Sequence, residues 1–506
     1  MALPPKWYQF LVSVFASIGS LLYGYDLGVI AEAIASPNFK QRFGDDSKET
    51  GAVVSVFTGG AFIGAFLAGP TSDRLGRKLA ILIGAVIFCL GGALQTGARN
   101  IDYLYSGRAL AGIGVGFTTM VVPMYQAELC HPSIRGRVTA LQQFMLGIGS
   151  LVAAWVSYGT FIGFEDSDPR QWQVSLGIQI IPGAILGLLI LLFPESPRWL
   201  IAHGKEQLGL ATLAKLHSNG NENDPWVCAE FQQIQDSIAF EQEQGAHSYM
   251  ELFTDRSSFR RLFLACAIQA SIQMTGVSAI QYYSVSIYEK IGIAGDETLR
   301  YQAISSVLAL VAQFLCILFV DRTGRRWPLI LGNLGNMVTF IIATALLATY
   351  PPGTPGGSGA AWGFIAMTWL YNFCFSATCG PLSWIIPAEI FDTKTRSKGV
   401  SIACMVSFAF NTMIGQTTSV ALDDEHGIGW RWYIVFIVCN FTNAIFFWAV
   451  LPETAHRPLE EMRSLFTEAP WFVPTTDMSK FAAVDLERRV EEVQNEQAVA
   501  GKDVDV

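Results

Sequence analysis

Three side chains capable of chemistry stand inside long apolar stretches of the sequence. Asp26 lies in the first apolar run, while Arg108 and Gln143 lie in two later runs that flank a short charged hinge. Charged and amide side chains are costly at membrane depth, so they normally face a cavity or a partner. This pattern is typical of a transport pathway rather than a passive anchor, and Asp26, as a lone carboxylate in a span, is a candidate functional residue.

The elements that carry these residues are predicted to be membrane-spanning helices. The chain has 506 residues, of which 51% are hydrophobic and 15% are charged, whereas soluble chains carry about 25% charged residues. The apolar residues form many runs near the roughly 20 residues that one span requires. We therefore expect an all-α polytopic membrane protein with twelve transmembrane helices. Four of the spans are predicted to be continuous over about 8–30, 172–193, 262–288 and 361–390.

Composition argues against several other classes of protein. The nine cysteines are scattered, mostly through apolar runs, which is the pattern of neither a disulfide framework nor a metal site. No cluster of histidine, cysteine and carboxylate residues indicates an enzyme, and nothing calls for a cofactor or a metal ion. The net charge of −9 comes partly from residues 485–506, and no basic patch predicts a nucleic-acid partner.

Three charged motifs of the first half of the chain recur in the same order in the second half. The matching pairs are DRLGRK at Asp73 with DRTGRR at Asp321, Glu128 and Arg135 with Glu389 and Arg396, and PESPR at Pro194 with PETAHR at Pro452. The repeat predicts two six-helix halves related by an axis along the membrane normal, which is the architecture of the major facilitator fold. Substrate is then expected near the midplane, between the halves.

This repeat divides the chain into four predicted regions. They are an N-terminal six-helix half (1–200), a cytosolic helical linker (201–259), a C-terminal six-helix half (260–462) and a cytosolic acidic tail (463–506). Most basic loop residues follow even-numbered spans, and the long central segment lies on that same side. By the positive-inside rule that side is cytosolic, together with both termini.

Six motifs in order resemble the sugar porter family of the major facilitator superfamily, and fungal monosaccharide transporters in particular. These motifs are GPTSDRLGRK, PMYQAELCHPSIRGR, PESPRWL, DRTGRR, GPLSWIIPAEIF and PETAHRPLEE. The likeness extends from about Tyr8 to Phe466, which is nearly the whole chain apart from the tail. It implies a secondary transporter that imports a monosaccharide or a related polyol by alternating access at the plasma membrane, with the lipid bilayer as its surroundings. We expect the chain to act as a monomer.

The repeated charges at the helix ends are predicted to form a cytosolic latch that holds the two halves together in the outward-open state. The predicted latch consists of Asp73, Arg74, Arg77, Glu128, Arg135, Asp321, Arg322, Arg325, Glu389 and Arg396. The alternative is that these basic loops only determine orientation. The latch is favoured because acidic residues recur with the basic ones at fixed spacing, which orientation alone would not require.

The resemblance also implies which residues bind substrate. The predicted contacts are Gln143, Gln273, Ser278, Trp384 and Asn411, and the predicted outer gate is Tyr282 and Tyr283. A sugar presents apolar C–H faces and hydroxyl groups, which suit one aromatic surface with several amides.

The sequence departs from the family pattern at several of these positions. Ile272 replaces a usual glutamine, Ser278 replaces a usual asparagine and Phe408 replaces a usual tryptophan. Because a site loses discrimination when hydrogen-bonding groups vanish, the substrate stays open among hexoses, pentoses and polyols.

The resemblance assigns proton coupling to Asp26, which matches the aspartate of proton–sugar symporters, with Arg108 as its partner. Protonation of Asp26 would break the pair and let the halves rock. A static buried pair in an uncoupled facilitative uniporter is the alternative. A transporter-like nutrient sensor is disfavoured because such proteins carry long cytosolic extensions, whereas the predicted tail of this chain is short. Export of a sugar-like metabolite stays open, since architecture alone determines neither substrate nor direction.

Overall fold

The computed structural model describes residues 5–44, 46–130, 135–243, 250–293, 295–351, 354–391, 395–423, 427–454, 465–467 and 470–475. Within these ranges every regular element is a helix. Most of the predicted acidic tail, including residues 476–506, lies outside the described residues.

The α-helices of the described residues are numbered in chain order. The helices of the first half are α1 (Pro5–Ala16), α2 (Ile18–Ala33), α3 (Pro37–Phe43), α4 (Ser47–Leu75), α5 (Arg77–Thr96), α6 (Ile101–Leu129), α7 (Arg135–Gly163), α8 (Arg170–Ile178), α9 (Ile180–Leu189) and α10 (Pro197–Ala202). Those that follow are α11 (Glu206–His217), α12 (Pro225–Glu243), α13 (Glu251–Thr254), α14 (Arg256–Gln273), α15 (Val277–Lys290), α16 (Asp296–Thr323), α17 (Arg326–Thr349), α18 (Gly357–Ala377), α19 (Cys379–Ile390), α20 (Arg396–Ala421) and α21 (Trp432–Val450). Short 3₁₀ turns occupy Ile190–Leu192, Gly429–Arg431 and Val473–Thr475.

The helical spans agree with the predicted membrane fold. In the part of the chain that the structure describes, 11 helical stretches are long and apolar enough to cross a membrane. The predicted span over about 361–390 is built differently, from α18 and α19, which meet at Thr378. Lipid offers no hydrogen bonds to the backbone, so helices that satisfy their own backbone groups are the expected solution. The all-α polytopic prediction is confirmed.

Four spans that were predicted to be continuous are interrupted. The first breaks at Ser17, between α1 and α2, the sixth breaks at Gln179, between α8 and α9, and the span over about 361–390 breaks at Thr378. The span over about 262–288 breaks at Gly276, whose φ of +98° ends α14 and begins α15. The Thr275 carbonyl beside it is freed from the helix and accepts hydrogen bonds from Tyr371 Oη at 3.2 Å and Asn440 Nδ2 at 3.1 Å. Broken backbone is tolerated at membrane depth when neighbouring helices satisfy it in this way.

Glycines let the helices that carry the charged residues approach closely. A Cβ added at Gly112 of α6 would lie 2.0 Å from the Phe57 carbonyl oxygen of α4, and one at Gly24 of α2 would lie 1.9 Å from the Leu146 carbonyl oxygen of α7. Small residues at such crossings are the usual basis of helix packing in membranes. These contacts place Asp26 and Arg108 between tightly packed helices.

The predicted linker contains α11, α12 and α13. Its small apolar cluster is centred on Ile201, Leu213, Ala214 and Val227. Gln9 of α1 donates its side-chain amide to the Leu216 carbonyl oxygen at 2.9 Å, so the linker is packed against the start of the first span.

Candidate functional site

A buried ion pair lies at the centre of the first half. Arg108 Nη1 donates to Asp26 Oδ1 at 2.6 Å, and both side chains are 0% exposed. Arg108 Nε donates to the Val53 carbonyl oxygen at 3.0 Å, and the guanidinium carbon lies 4.3 Å from the centroid of the Phe57 ring. Asp26 Oδ2 and Arg108 Nη2 have no hydrogen-bond partner among the described protein atoms. The hydrogen-bonding capacity of the pair is therefore only partly satisfied.

A small cavity lies between the two halves close to this pair. Gln143 of α7 and Trp384 of α19, both predicted substrate contacts, line it. The other lining residues are Ser20, Tyr23, Thr119, Gln142 and Leu146. Gln143 Oε1 is buried without a hydrogen-bond partner among the described protein atoms. The cavity thus joins an aromatic surface to amide and hydroxyl groups, which is the chemistry that recognises a polyhydroxylated ligand.

Tyr23 connects this cavity to the ion pair and to the second half. Its ring lines the cavity and is 6% exposed. Asn411, another predicted contact, donates its amide to Tyr23 Oη at 3.4 Å, and the Phe408 ring meets the Tyr23 ring edge-on at 5.8 Å. The sequence analysis did not single out Tyr23. Its position one helical turn before Asp26 was the available signal, since residues three apart share a helix face.

Gln273 and Ser278 are brought together by the break at Gly276. Ser278 Oγ donates to Gln273 Oε1 at 2.7 Å, and Gln273 Nε2 donates to Ser407 Oγ of α20 at 3.0 Å. Both ends of the amide are thus bound within the protein. These two predicted substrate contacts do not line the cavity around Trp384.

The two predicted gate tyrosines are buried side by side on α15. Tyr283 Oη donates to the Gly415 carbonyl oxygen of α20 at 2.7 Å, and Tyr282 is 0% exposed. Thr58 of α4 and Thr412 of α20 exchange a hydrogen bond of 2.7 Å nearby. These polar contacts to α20 are available to a gate that opens and closes.

The repeated motif of the first half is organised by Arg77. Its Nε and Nη2 atoms each donate to one oxygen of Glu128 at 3.0 Å, and Asp73 Oδ1 lies 3.5 Å from Nη1. These three residues belong to the same half. Asp73 also interacts electrostatically with Lys398 of α20, in the other half.

The second half repeats this arrangement with Arg325. Its Nη2 atom donates to Glu389 Oε1 at 3.1 Å, and its Nη1 atom donates to the Val320 carbonyl oxygen at 3.0 Å. Arg396 Nη2 donates to the Phe391 carbonyl oxygen at 3.3 Å.

Among the described residues, the structure gives no ion pair for some of the remaining predicted latch residues, and it does not describe the side chains of others. Arg74 and Arg322 are exposed, while the side chains of Arg135 and Asp321 lie outside the described residues. The locking of one half to the other therefore stays a prediction.

Two glutamates that the sequence analysis did not assign complete the repeated motifs. Glu195 accepts from the backbone N–H of Arg77 at 3.0 Å, and Glu453 accepts from the backbone N–H of Arg325 at 2.9 Å. Burial raises the pKa of Glu195 above its ordinary value, and the backbone N–H groups that it accepts from oppose this rise. Carboxylates suit the positive end of a helix, and the recurrence of PES as PET was the signal that could have revealed them.

Within the part of the chain that the structure describes, no group of three or more histidine, cysteine or carboxylate side chains is placed to hold a metal ion.

Residues 12–466 match a family described as "Sugar (and other) transporter". The MFS-type transporter criB of Aspergillus cristatus is 34% identical over 456 residues, which cover 90% of this chain and 92% of that protein. The MFS glucose transporter mfs1 of Aspergillus flavus is 30% identical, with 95% of this chain and 92% of that protein covered. The solved structure of the proton:xylose symporter XylE bound to 6-bromo-6-deoxy-D-glucose is 25% identical with a TM-score of 0.78, covering 91% of this chain and 99% of that chain.

Proposed function

The chain belongs to the sugar (and other) transporter family of the major facilitator superfamily, and from this premise we propose that it imports a monosaccharide or a related polyol together with a proton. Its relatives are transporters, so the prediction that it is not an enzyme is confirmed. The observation that carries the proposal is the buried Asp26–Arg108 pair, set beside a cavity lined by an aromatic ring and amides.

In this proposal the substrate occupies the cavity between Gln143 and Trp384. The indole covers an apolar C–H face of the ring, and the Gln143 amide exchanges hydrogen bonds with substrate hydroxyls. Asn411 does not contact the substrate directly but donates a hydrogen bond to Tyr23 Oη, which holds the Tyr23 ring at the edge of the same cavity. Gln273 and Ser278 serve as a polar pair that holds α14, α15 and α20 in register, and they reach the substrate when the two halves move.

Coupling follows from the chemistry of the ion pair. When Asp26 is charged, its bond to Arg108 holds α2 against α6. A proton taken up by the free Oδ2 atom neutralises the carboxylate and removes the Coulomb attraction, which is strong at low dielectric. The first half can then rearrange around the bound substrate, and release of the proton on the other side restores the pair.

The gates and the latch complete the cycle. Tyr282 and Tyr283 close the outer side against α20, while the Arg77 and Arg325 clusters stabilise the cytosolic ends of the two halves. The chain carries this out as a monomer in the plasma membrane, with residues 1–200 and 260–462 as the two halves, both termini in the cytosol and the linker 201–259 on the cytosolic side.

The test is uptake of radiolabelled substrates in a yeast strain that lacks its own hexose carriers. The panel contains glucose, galactose, xylose, arabinose, rhamnose and a polyol, each with and without a protonophore. The variant is Asp26→Asn, and the matched control is Asp102→Asn, which makes the same chemical change at an exposed carboxylate of α6. Proton symport is expected to give uptake that collapses with the protonophore and with Asp26→Asn but survives Asp102→Asn.

Other outcomes separate the alternatives. Uptake that survives both the protonophore and Asp26→Asn would make the protein a uniporter and the pair a structural element. Absence of uptake across the panel, with the protein present at the cell surface, would overturn the sugar assignment itself.

A further inference from the structure

A second buried carboxylate lies on the same helix as Asp26 and takes no part in the site described above. Glu32, near the end of α2, is 5% exposed, and neither of its carboxylate oxygens has a hydrogen-bond partner among the described protein atoms. It lines a separate small cavity. The walls of this cavity come from α2, α7, α8, the start of α16 and the turn after α2, which lie at the opposite end of the helices from the repeated charged motifs.

The walls of this cavity offer oxygen atoms rather than donors. Ser36 Oγ donates to Gln171 Oε1 at 2.9 Å, and Thr160 Oγ1 donates to the Ser157 carbonyl oxygen at 3.0 Å. The Gln171 amide donates to the Phe164 carbonyl oxygen at 3.2 Å. These hydroxyl groups direct their hydrogens to other wall atoms, and Thr160 Oγ1 also shares a hydrogen bond of 2.8 Å with Ser175 Oγ.

Three buried oxygens of this wall lack a hydrogen bond of standard geometry among the described protein atoms. They are the two carboxylate oxygens of Glu32 and the hydroxyl oxygen of Ser157, which lies beside that carboxylate. An ionised carboxylate at such a place is strongly unfavourable unless a positive charge compensates it. A hydroxyl oxygen beside it supplies a further ligand to the same positive charge.

No charged side chain other than Glu32 lines the cavity. The cations and titratable groups of the surrounding elements are engaged elsewhere. On α8, Arg170 pairs with Asp168 at 2.8 Å, and on α16, Arg300 lies 3.4 Å from Glu297.

The remaining polar and titratable neighbours also form ion pairs or hydrogen bonds with groups other than Glu32. Lys40 after α2 pairs with Glu289 of α15 at 3.5 Å, and Tyr25 Oη donates to the Ser175 carbonyl oxygen at 2.8 Å. The neighbouring Trp172 donates its indole N–H to Asn38 Oδ1 at 3.1 Å. None of the charged groups described around this cavity therefore compensates Glu32.

We propose that Glu32 and Ser157 form a binding site for a monovalent cation, held as a proton on the carboxyl group or as an alkali ion between carboxylate and hydroxyl oxygens. One carboxylate balances one positive charge. Oxygen atoms are the ligands that hard cations prefer. The cavity leaves space for about one small ion or one water beside the carboxylate. The site is separate from the Asp26–Arg108 pair and does not depend on which substrate is carried.

The test uses the purified full-length protein in lipid nanodiscs and measures no transport. Infrared difference spectra between acidic and alkaline buffer report protonated carboxyl groups, and the melting temperature in sodium chloride against choline chloride of equal ionic strength reports alkali-ion binding. Both are recorded for the wild type, for Glu32→Gln and for the matched control Glu165→Gln, an exposed glutamate in the loop between α7 and α8.

Two results support the site and distinguish its occupant. A proton site gives a buried carboxylic-acid band that Glu32→Gln removes and Glu165→Gln keeps, with no effect of sodium on the melting temperature. A sodium site gives a rise of about 2 °C or more in sodium chloride for the wild type and the control, which is lost in Glu32→Gln.

A wild type that shows neither the band nor the sodium effect, or that shares both with Glu32→Gln, would overturn the proposal. If Glu32→Gln does not fold, Ser157→Ala provides the second variant, because it removes one ligand and leaves the carboxyl group. A proton site is then expected to keep its band with a shifted frequency, and a sodium site to need more sodium for the same rise. An unchanged spectrum and an unchanged sodium dependence in this variant would contradict the role of Ser157.

Discussion

The two halves of the chain are alike at the ends that carry the repeated motifs and unlike in their cores. At those ends Arg77 binds Glu128 with N–O distances of 3.0 Å, and Arg325 binds Glu389 at 3.1 Å. In the cores, the first half holds the Asp26–Arg108 ion pair, whereas the second half holds the uncharged network of Gln273, Ser278 and Ser407.

This contrast separates two requirements of a rocking transporter. In the proposed mechanism both halves need the same rigid ends, because each moves as a unit against the other, and a repeated sequence builds the same end twice. The cores then have different tasks, since the mechanism needs a charge that takes up and releases a proton only once. In the proposed mechanism the first half supplies the coupling and the second half supplies the aromatic surface through Trp384.

The largest expected effect is that of Arg108→Ala. This change leaves Asp26 buried without its partner, and the loss of one member of a buried pair destabilises by about 3–5 kcal/mol. We expect a large fall in the melting temperature of the purified protein and loss of uptake. The control is Arg99→Ala, which removes an exposed arginine from the loop before α6.

A double variant sharpens this prediction. Adding Asp26→Asn to Arg108→Ala removes the stranded charge, so part of the lost stability is expected to return, although not the coupling. A double variant no more stable than Arg108→Ala alone would mean that the pair contributes little beyond packing.

The next effect tests whether the repeated ends are equivalent. Gly76 and Gly324 have φ of +97° and +77°, and an added Cβ would lie 2.4 Å from Glu195 Oε2 and 2.6 Å from Glu453 Oε2 respectively. Gly76→Ala and Gly324→Ala are each expected to destabilise by more than about 1 kcal/mol, because alanine is strained at positive φ and meets a carboxylate that caps a helix. Melting temperatures of the purified variants check this.

The matched control is Gly59→Ala, inside α4, where an added Cβ has nothing within 4 Å. It is expected to be neutral or stabilising by up to about 1 kcal/mol, because alanine favours the helix. If only one of the two motif variants is destabilised, the two ends share the same geometry but contribute unequally to the free energy of unfolding.

The smallest effect is expected for Tyr23→Phe. The change removes one hydroxyl that accepts a long hydrogen bond of 3.4 Å from Asn411 while keeping the ring in the cavity. A typical hydrogen bond contributes about 1 kcal/mol, so KM should rise by about fivefold or less with the proton dependence intact. Uptake kinetics beside the exposed control Tyr103→Phe measure it, and loss of proton dependence would instead place this hydroxyl on the path of the proton.

Some of the site could be predicted from residue type alone. Asp26 and Arg108 stand out because charge inside an apolar run demands a partner, and the structure places them 2.6 Å apart. Gln143 and Trp384 were predicted by resemblance and line one cavity. Tyr23 was not predicted, because a tyrosine in a membrane span has no signal that separates a site residue from a packing residue.

The helical fold and the internal repeat follow from the sequence, since lipid leaves an apolar chain few ways to satisfy its backbone. Where the spans break, and which residues each break brings together, depends on tertiary packing. The turn at Gly276 directs Gln273 and Ser278 toward one another, and the packing of α2 against α7 and α8 leaves Glu32 without a positively charged partner among the described residues. The physical reason is that hydropathy is read along one chain, whereas the pairing of polar groups depends on helices that are distant in sequence.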